Sequence, residues 1–192
     1  MKRDATSKGL QSLLLFSTFW ILGASAQKVS FPGPKSETRS PDGRYAIRNV
    51  DDEEAQPPHS LTLIDSSSGK QYKIRDYGRH VEVLWSPASD AFIVNDFEGS
   101  DSTRPILYPL PWRDEEIDLL KELTDFLRTR GEEKLVLQND HVYLSVNRWL
   151  NSREVLCRLE AYGEASPHGS GFEGNYVYKL GKGFRTENSR TP

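Results

Sequence analysis

Ser40-Pro41-Asp42-Gly43-Arg44-Tyr45-Ala46-Ile47 and Trp85-Ser86-Pro87-Ala88-Ser89-Asp90-Ala91-Phe92-Ile93-Val94 lie over one another, with 46 residues between Ser40 and Ser86. Each places a Ser-Pro turn in front of an apolar strand. Pro41 fixes φ at the first turn position, Asp42 bonds back to its own backbone, and Gly43 accepts a positive φ. A fainter third copy, Trp149-Leu150-Asn151-Ser152-Arg153-Glu154-Val155-Leu156, puts Trp149 where Trp85 stands. Between the first two copies, Leu61-Thr62-Leu63-Ile64-Asp65-Ser66-Ser67-Ser68-Gly69-Lys70 reads as a strand that ends in an Asp-to-Gly turn.

Outward from these turns the apolar residues recur with period two in short runs. Tyr45-Ala46-Ile47, Leu61 to Ile64, Tyr72-Lys73-Ile74, Val81 to Trp85, Phe92-Ile93-Val94 and Ile106-Leu107-Tyr108 all read as strands. So do Leu135-Val136-Leu137, His141 to Val146, Val155 to Leu159 and Tyr176-Val177-Tyr178. The spacing is too tight for parallel crossovers, so antiparallel sheet is expected. One stretch has a helical period instead: Ile117, Leu119, Leu120, Leu123, Phe126 and Leu127 share a face between Asp114-Glu115-Glu116 and Gly131. The acidic opening and the basic Arg128 and Arg130 suit the helix dipole, which predicts an amphipathic helix over about 114–130 packed on the sheet.

A period in the forties made of strand, polar turn and strand is the signature of propeller blades. Over residues 40–108 the chain resembles the TolB-like (WD40-like) β-propeller repeats, whose blades carry a Trp-Ser-Pro-Asp-Gly turn, an apolar strand and an apolar-Asp-x-x-x-Gly-Lys hairpin. A closed propeller takes at least four blades. This chain offers two recognisable blades and one degenerate one, with a helix between them. The expected fold is therefore mainly β: antiparallel blade-like sheets in an open partial propeller or sandwich, with one amphipathic helix. The resemblance implies a binding or scaffold role.

Composition narrows the function classes. The chain has 192 residues, 36% hydrophobic and 28% charged, with a formal charge of -3. That balance gives no basic field for phosphate, so no nucleic-acid partner is expected. Lys2, Arg3 and Lys8 precede the apolar run Leu13 to Gly23, followed by Ala24-Ser25-Ala26, which reads as a signal peptide cleaved after Ala26. Too short to span a bilayer, it leaves no membrane span and an extracytoplasmic chain, secreted or periplasmic, with 22 basic and 27 acidic residues. Residues 27–39 and 184–192 read as disordered tails around a single β-rich domain at 40–183. Cys157, the only cysteine, sits in an apolar run and reads as a buried inert thiol.

Motifs for chemistry are sparse. Gly169-Ser170-Gly171-Phe172-Glu173-Gly174 fits G-x-G-x-x-G, but Ser166-Pro167-His168 stands before it and a β-rich run follows, so it reads as a loop between strands. His59, His80, His141 and His168 show no metal-ligand spacing. No cofactor and no metal site is expected, and no catalytic set converges. The candidate polar site is Asp96, Glu98 and Asp101 in Asn95 to Thr103, which alternate as calcium ligands can but lack the twelve-residue loop and distal Glu. Trp85 and Trp149 hold equivalent positions and read as packing residues, whereas Trp112 is the candidate exposed aromatic. Two functions follow. The first is a non-catalytic binding or scaffold protein whose partner is another protein or a second copy. The alternative is a small secreted hydrolase, for example a glycosidase, working through carboxylates at Asp96, Glu98 or Asp101.

Overall fold

A computed structural model describes residues 28–163 and 171–187. In chain order the elements are β1 (Lys28–Phe31), β2 (Glu37–Arg39), β3 (Tyr45–Asp51), β4 (His59–Asp65), β5 (Gln71–Tyr77), β6 (His80–Trp85), β7 (Ala91–Phe97), β8 (Ser102–Pro109) and β9 (Ile117–Asp118). Then come α1 (Leu119–Arg128), the four-residue turn α2 (Lys134–Leu137), β10 (His141–Trp149), β11 (Glu154–Tyr162), β12 (Phe172–Lys179) and β13 (Gly183–Thr186).

Strands β2-β3-β4-β5 form one antiparallel sheet. The others run in the order β1-β6-β7-β8-β10-β11-β12-β13, with β9 on β8. The join between β8 and β10 is only two residue pairs long, Ser102 with Val142 and Thr103 with Tyr143, and it is parallel. It divides that sheet into a middle part (β1, β6–β9) and a third part (β10–β13). The parallel pairing departs from the all-antiparallel expectation for a physical reason. The connection that carries α1 is long enough for a crossover, which the tight connections elsewhere are not.

Alternation along β6, β7 and β8 gives the middle sheet a core on each face. Val81, Val83, Trp85, Phe92, Val94, Ile106 and Tyr108 pack against Ile47, Leu61, Leu63 and Tyr77 of the first sheet. Leu84, Ala91, Ile93 and Leu107 point the other way, onto α1 and onto Val142, Leu144, Val155, Cys157 and Leu159 of the third sheet. Three blade-like sheets are thus stacked in a row, not closed into a barrel. Cys157 is fully buried in the second core, and burial pushes its thiol pKa up, as befits an inert packing residue.

The sequence repeat is a repeat of structure. Ser40 N–H donates to the Tyr45 carbonyl and Gly43 N–H to the Ser40 carbonyl, both at 2.9 Å; Ser86 N–H donates to Ala91 and Ser89 N–H to Ser86 at the same distance. In both turns the fourth residue is left-handed, Gly43 at φ 72° and Ser89 at φ 59°. A serine there carries strain that a glycine does not. It is held because Ser89 is 1% exposed and its Oγ accepts the Asp42 N–H at 3.1 Å, tying the second turn to the first. Ser89→Ala should keep the strain and lose the tie, lowering stability in urea unfolding by about 1 kcal/mol. Ser89→Gly, which relieves the backbone while losing the same bond, should stay within about 0.5 kcal/mol of the parent. An Ala variant as stable as the parent would show that the tie contributes nothing. In the third copy the turn is one residue tighter, with Leu150 N–H on the Glu154 carbonyl at 2.8 Å.

Several expectations need correction. The helix begins at Leu119, not near Asp114: Asp114 is left-handed at φ 57°, and Ile117–Asp118 pair with β8 before the Asp118 side chain caps Leu120 and Lys121 N–H at 3.0 and 3.1 Å. Leu135-Val136-Leu137 belongs to the turn α2, because a short apolar run does not distinguish strand from helical turn. Residues 28–39 are not a tail. β1 pairs with β6 and buries Phe31 completely, and β2 pairs with β3. At the other end, 184–186 lie in β13 against β12. β1 gains its order from a partner about fifty residues away, whereas β2 and β13 each close a hairpin on the adjacent strand, and composition reveals neither pairing. Residues 1–26, expected to be a signal peptide, and residues 188–192 lie outside the described residues.

Candidate functional site

The Asp96, Glu98 and Asp101 loop does not form one site. Asp96, next to last in β7, lies on the face toward the first sheet, is 4% exposed, and meets Arg75 Nη2 of β5 at 2.8 Å. Glu98 lies 3.7 Å from both Arg75 and Arg104. Arg104 reaches Asp118 through Nε at 3.0 Å and Nη2 at 2.6 Å. The two carboxylates are therefore links in a chain of charges from β5 to the cap of α1. Burial pushes the Asp96 carboxyl above the usual range, against the pull of Arg75. Asp101 stands apart with its side chain 66% exposed, hydrogen-bonded by Ser100 and 3.8 Å from His141 Nδ1. Among the described residues no group of three or more His, Cys, Asp or Glu is arranged to hold a metal ion.

Trp112 is not the exposed platform expected from sequence. It is half-buried, stacked 5.9 Å from Tyr108 and as far from Tyr72, so it closes the edge of the first core. Trp85 and Trp149 are packing residues at 2% and 8% exposure, and the Trp149 indole N–H donates to the Leu84 carbonyl at 3.4 Å. His168 lies outside the described residues. His59 sits 2.7 Å from Asp51, but that pair continues inward through Asn49 to the Tyr77 hydroxyl, so it braces the end of the first sheet. The glycine motif has a packing reason where it is described. An added Cβ on Gly174, inside β12, would stand 2.8 Å from Phe172 Cζ and 3.0 Å from Tyr176 Cε2. Gly174 is thus strand rather than loop, covered by its aromatic neighbours.

A cleft the loop reading missed opens where β10 parts from β8. After the two parallel pairs, β10 crosses toward β7, and the Asn95 side chain takes over the pairing. Its Nδ2 donates to the Val146 carbonyl and its Oδ1 accepts the Val146 N–H, both at 2.9 Å. The fork beside this staple is a cleft of about 520 Å³. Its floor is His80, Phe97 and Thr103 of the middle sheet, and its wall is Tyr143, Ser145, Glu160 and Tyr162 of the third. The His80 and Phe97 rings stack at 4.0 Å, and Tyr143 and Tyr162 lie 5.7 Å apart with His141 alongside.

The polar groups here are unevenly committed. The Tyr143 hydroxyl donates to the Ser100 carbonyl and the Tyr162 hydroxyl to Glu160 at 2.9 Å, which fixes both rings. Thr103 is 3% exposed and borders the cleft, yet its hydroxyl makes no hydrogen bond among the described residues. The fully buried side-chain atoms without a partner among the described residues are elsewhere, at Arg75 Nε, Trp85 Nε1 and Glu133 Oε2, so the Thr103 hydroxyl oxygen opens to the cleft although the residue as a whole is buried. Arg79 at the rim likewise forms no ion pair among the described residues. A second depression, about 390 Å³ on the outward face of the third sheet, is lined by Arg158 and Glu173, which neutralise one another at 3.0 Å. The only sequence signal for the cleft was Asn95, a polar residue at the end of the apolar run Ala91 to Val94. Comparison with family models, with curated proteins and with solved structures finds no match to this chain.

Proposed function

We propose that this chain is an extracytoplasmic, non-catalytic binding module built on blade-like sheets of the TolB-like kind, and that it engages its target through the cleft between its middle and third sheets. The observation that carries the reading is the division of the polar side chains. Of the carboxylates a hydrolase would use, Asp96 and Glu98 are committed to Arg75 and Arg104, and Asp101 stands apart from them, exposed beside His141. Thr103 and Arg79, which make no hydrogen bond or ion pair among the described residues, border a cleft framed by aromatic rings. Pockets of this kind, concave and aromatic with a few placed polar groups, are where ligands bind. The extracytoplasmic address rests on the signal-peptide pattern of residues 1–26. Among the described residues no helix is long and apolar enough to cross a membrane.

The test is a comparison of the immobilised protein with its Tyr143→Ala variant in extracts of its native compartment, alongside esterase, glycosidase and peptidase assays. Specific retention of material by the parent, lost in the variant, is the expected result. Turnover abolished by Asp96→Asn, Glu98→Gln or Asp101→Asn would overturn the reading in favour of the hydrolase.

A further inference from the structure

Building on the binding reading just given, we propose that the cleft is a saccharide site, in which the rings of Tyr143 and Tyr162 on one side and the stacked His80 and Phe97 on the other flank a sugar ring while Thr103 and Ser145 hydrogen-bond its hydroxyls.

Because both tyrosine hydroxyls are tied to protein acceptors, what these side chains offer a ligand is a ring surface held in a fixed orientation. Tyr162 is held from behind as well. An added Cβ on Gly171 would stand 2.2 Å from its Cδ1, so only glycine lets the chain lie on that ring. Yet Tyr162 remains 38% exposed. The electron-rich face of an aromatic ring attracts weakly positive C–H groups, and a sugar ring presents such groups on one face while its hydroxyls project around the edge.

The polar groups match that edge. A hydroxyl side chain both donates and accepts, as a sugar hydroxyl does. Thr103 has no other partner among the described residues, and Ser145 has only a long contact of 3.4 Å to Asn147 Oδ1. A ligand hydroxyl would pair with the Thr103 hydroxyl, which the fold leaves open to the cleft and without a protein partner among the described residues. The charge at the cleft disfavours the obvious competitors. One arginine, Arg79, stands near the acidic Glu160, which is too little positive charge for a nucleotide or phosphate ligand. A lipid chain would leave the hydroxyls of Thr103 and Ser145 without water or a good partner.

The experiment titrates the purified protein with cellotetraose, chitotetraose, maltotetraose and, as a peptide control, Ala-Phe-Ala, by calorimetry and saturation-transfer NMR. At least one oligosaccharide should bind, with saturation transfer to its ring protons. Tyr143→Ala and Thr103→Val should each weaken that binding about tenfold or more, whereas Thr103→Ser should restore it and Arg39→Ala, on the first sheet, should leave it unchanged. Melting curves accompany every variant. If Thr103→Val fails to fold, Tyr162→Ala replaces it, since that ring is partly exposed and its loss leaves the core intact. Failure of all three oligosaccharides, or binding that the cleft variants do not weaken, overturns the saccharide site. Cleft-dependent binding of Ala-Phe-Ala alone overturns it too while leaving the binding module standing. Carboxylate-dependent turnover overturns the binding reading and the saccharide proposal together.

Discussion

Leu123→Asp is expected to leave the protein unfolded or aggregated. Leu119, Leu123 and Leu127 follow one another at the four-residue helical spacing on α1, and all three are completely buried between the middle and third sheets. Phe126 and Leu120 flank them, partly buried, with Phe126 against Tyr176 and Phe184. A carboxylate at Leu123 would enter the apolar cluster that also holds Leu107 and Val155, which offers it no cation, and burying an unpaired charge there costs as much as the whole stability of an ordinary domain. Leu123→Ala tests the same packing more gently. The lost methyl groups and the cavity left behind should cost about 3–5 kcal/mol, read as a lower midpoint in urea with an unchanged slope. The outcome against this is plain: Leu123→Asp that elutes as a monomer and melts at the parent temperature would mean that α1 does not hold the two sheets together.

Arg75→Ala carries the second large effect. Arg75 is the cation facing Asp96 in the interface between the first and middle sheets, with its side chain 21% exposed and that of Asp96 5% exposed. Removing it leaves a buried carboxylate whose remaining neighbours include Glu98, so a loss of about 3–5 kcal/mol is expected. The paired replacement Arg75→Met with Asp96→Leu should recover most of that loss, because neither desolvated charge then remains. The pH dependence has a definite sign. The Asp96 carboxyl is raised in the folded state, first by burial and then by Glu98, with Arg75 opposing. Its contribution to stability is therefore fully present below the ordinary carboxylate range and is lost as the pH rises through the raised folded value. In Arg75→Ala the opposing cation is gone, so the deficit should be largest near neutrality and should shrink on acidification. A deficit that grew on acidification would contradict the assignment. Melting temperatures of parent, single and double variants across that range decide it.

The turns were legible because their chemistry is local. Pro41 and Gly43 set their own φ, and Asp65 folds its side chain over Ser67 and Ser68, with hydrogen bonds that hold its carboxyl pKa down to about 2. Gly69 closes that hairpin at φ 69°. The period-two strands and the leucine stripe of α1 were legible for the same reason, since the pleat and the helical turn are repeats of consecutive residues. What misled was also local. Asp114-Glu115-Glu116 looks like a helix start, but the cap is Asp118, whose place depends on Arg104 and on the pairing of Ile117–Asp118 with β8.

The sequence by itself thus determined the blade-like turns, the antiparallel strands and the helix that breaks them, because each follows from the conformational preferences of neighbouring residues. Only the tertiary structure decided which of the polar residues are spoken for. Ser89 takes the place of a glycine because Asp42, 47 residues away, uses its hydroxyl. Asn95 is buried because Val146, 51 residues away, needs a partner for its backbone. Asp96 answers to Arg75 on another sheet, and Thr103 is left beside a cleft that exists only because β10 parts from β8. Hydrogen bonds and ion pairs form between groups that folding brings within a few ångströms, whatever their separation along the chain. A linear pattern holds the first kind of information and not the second.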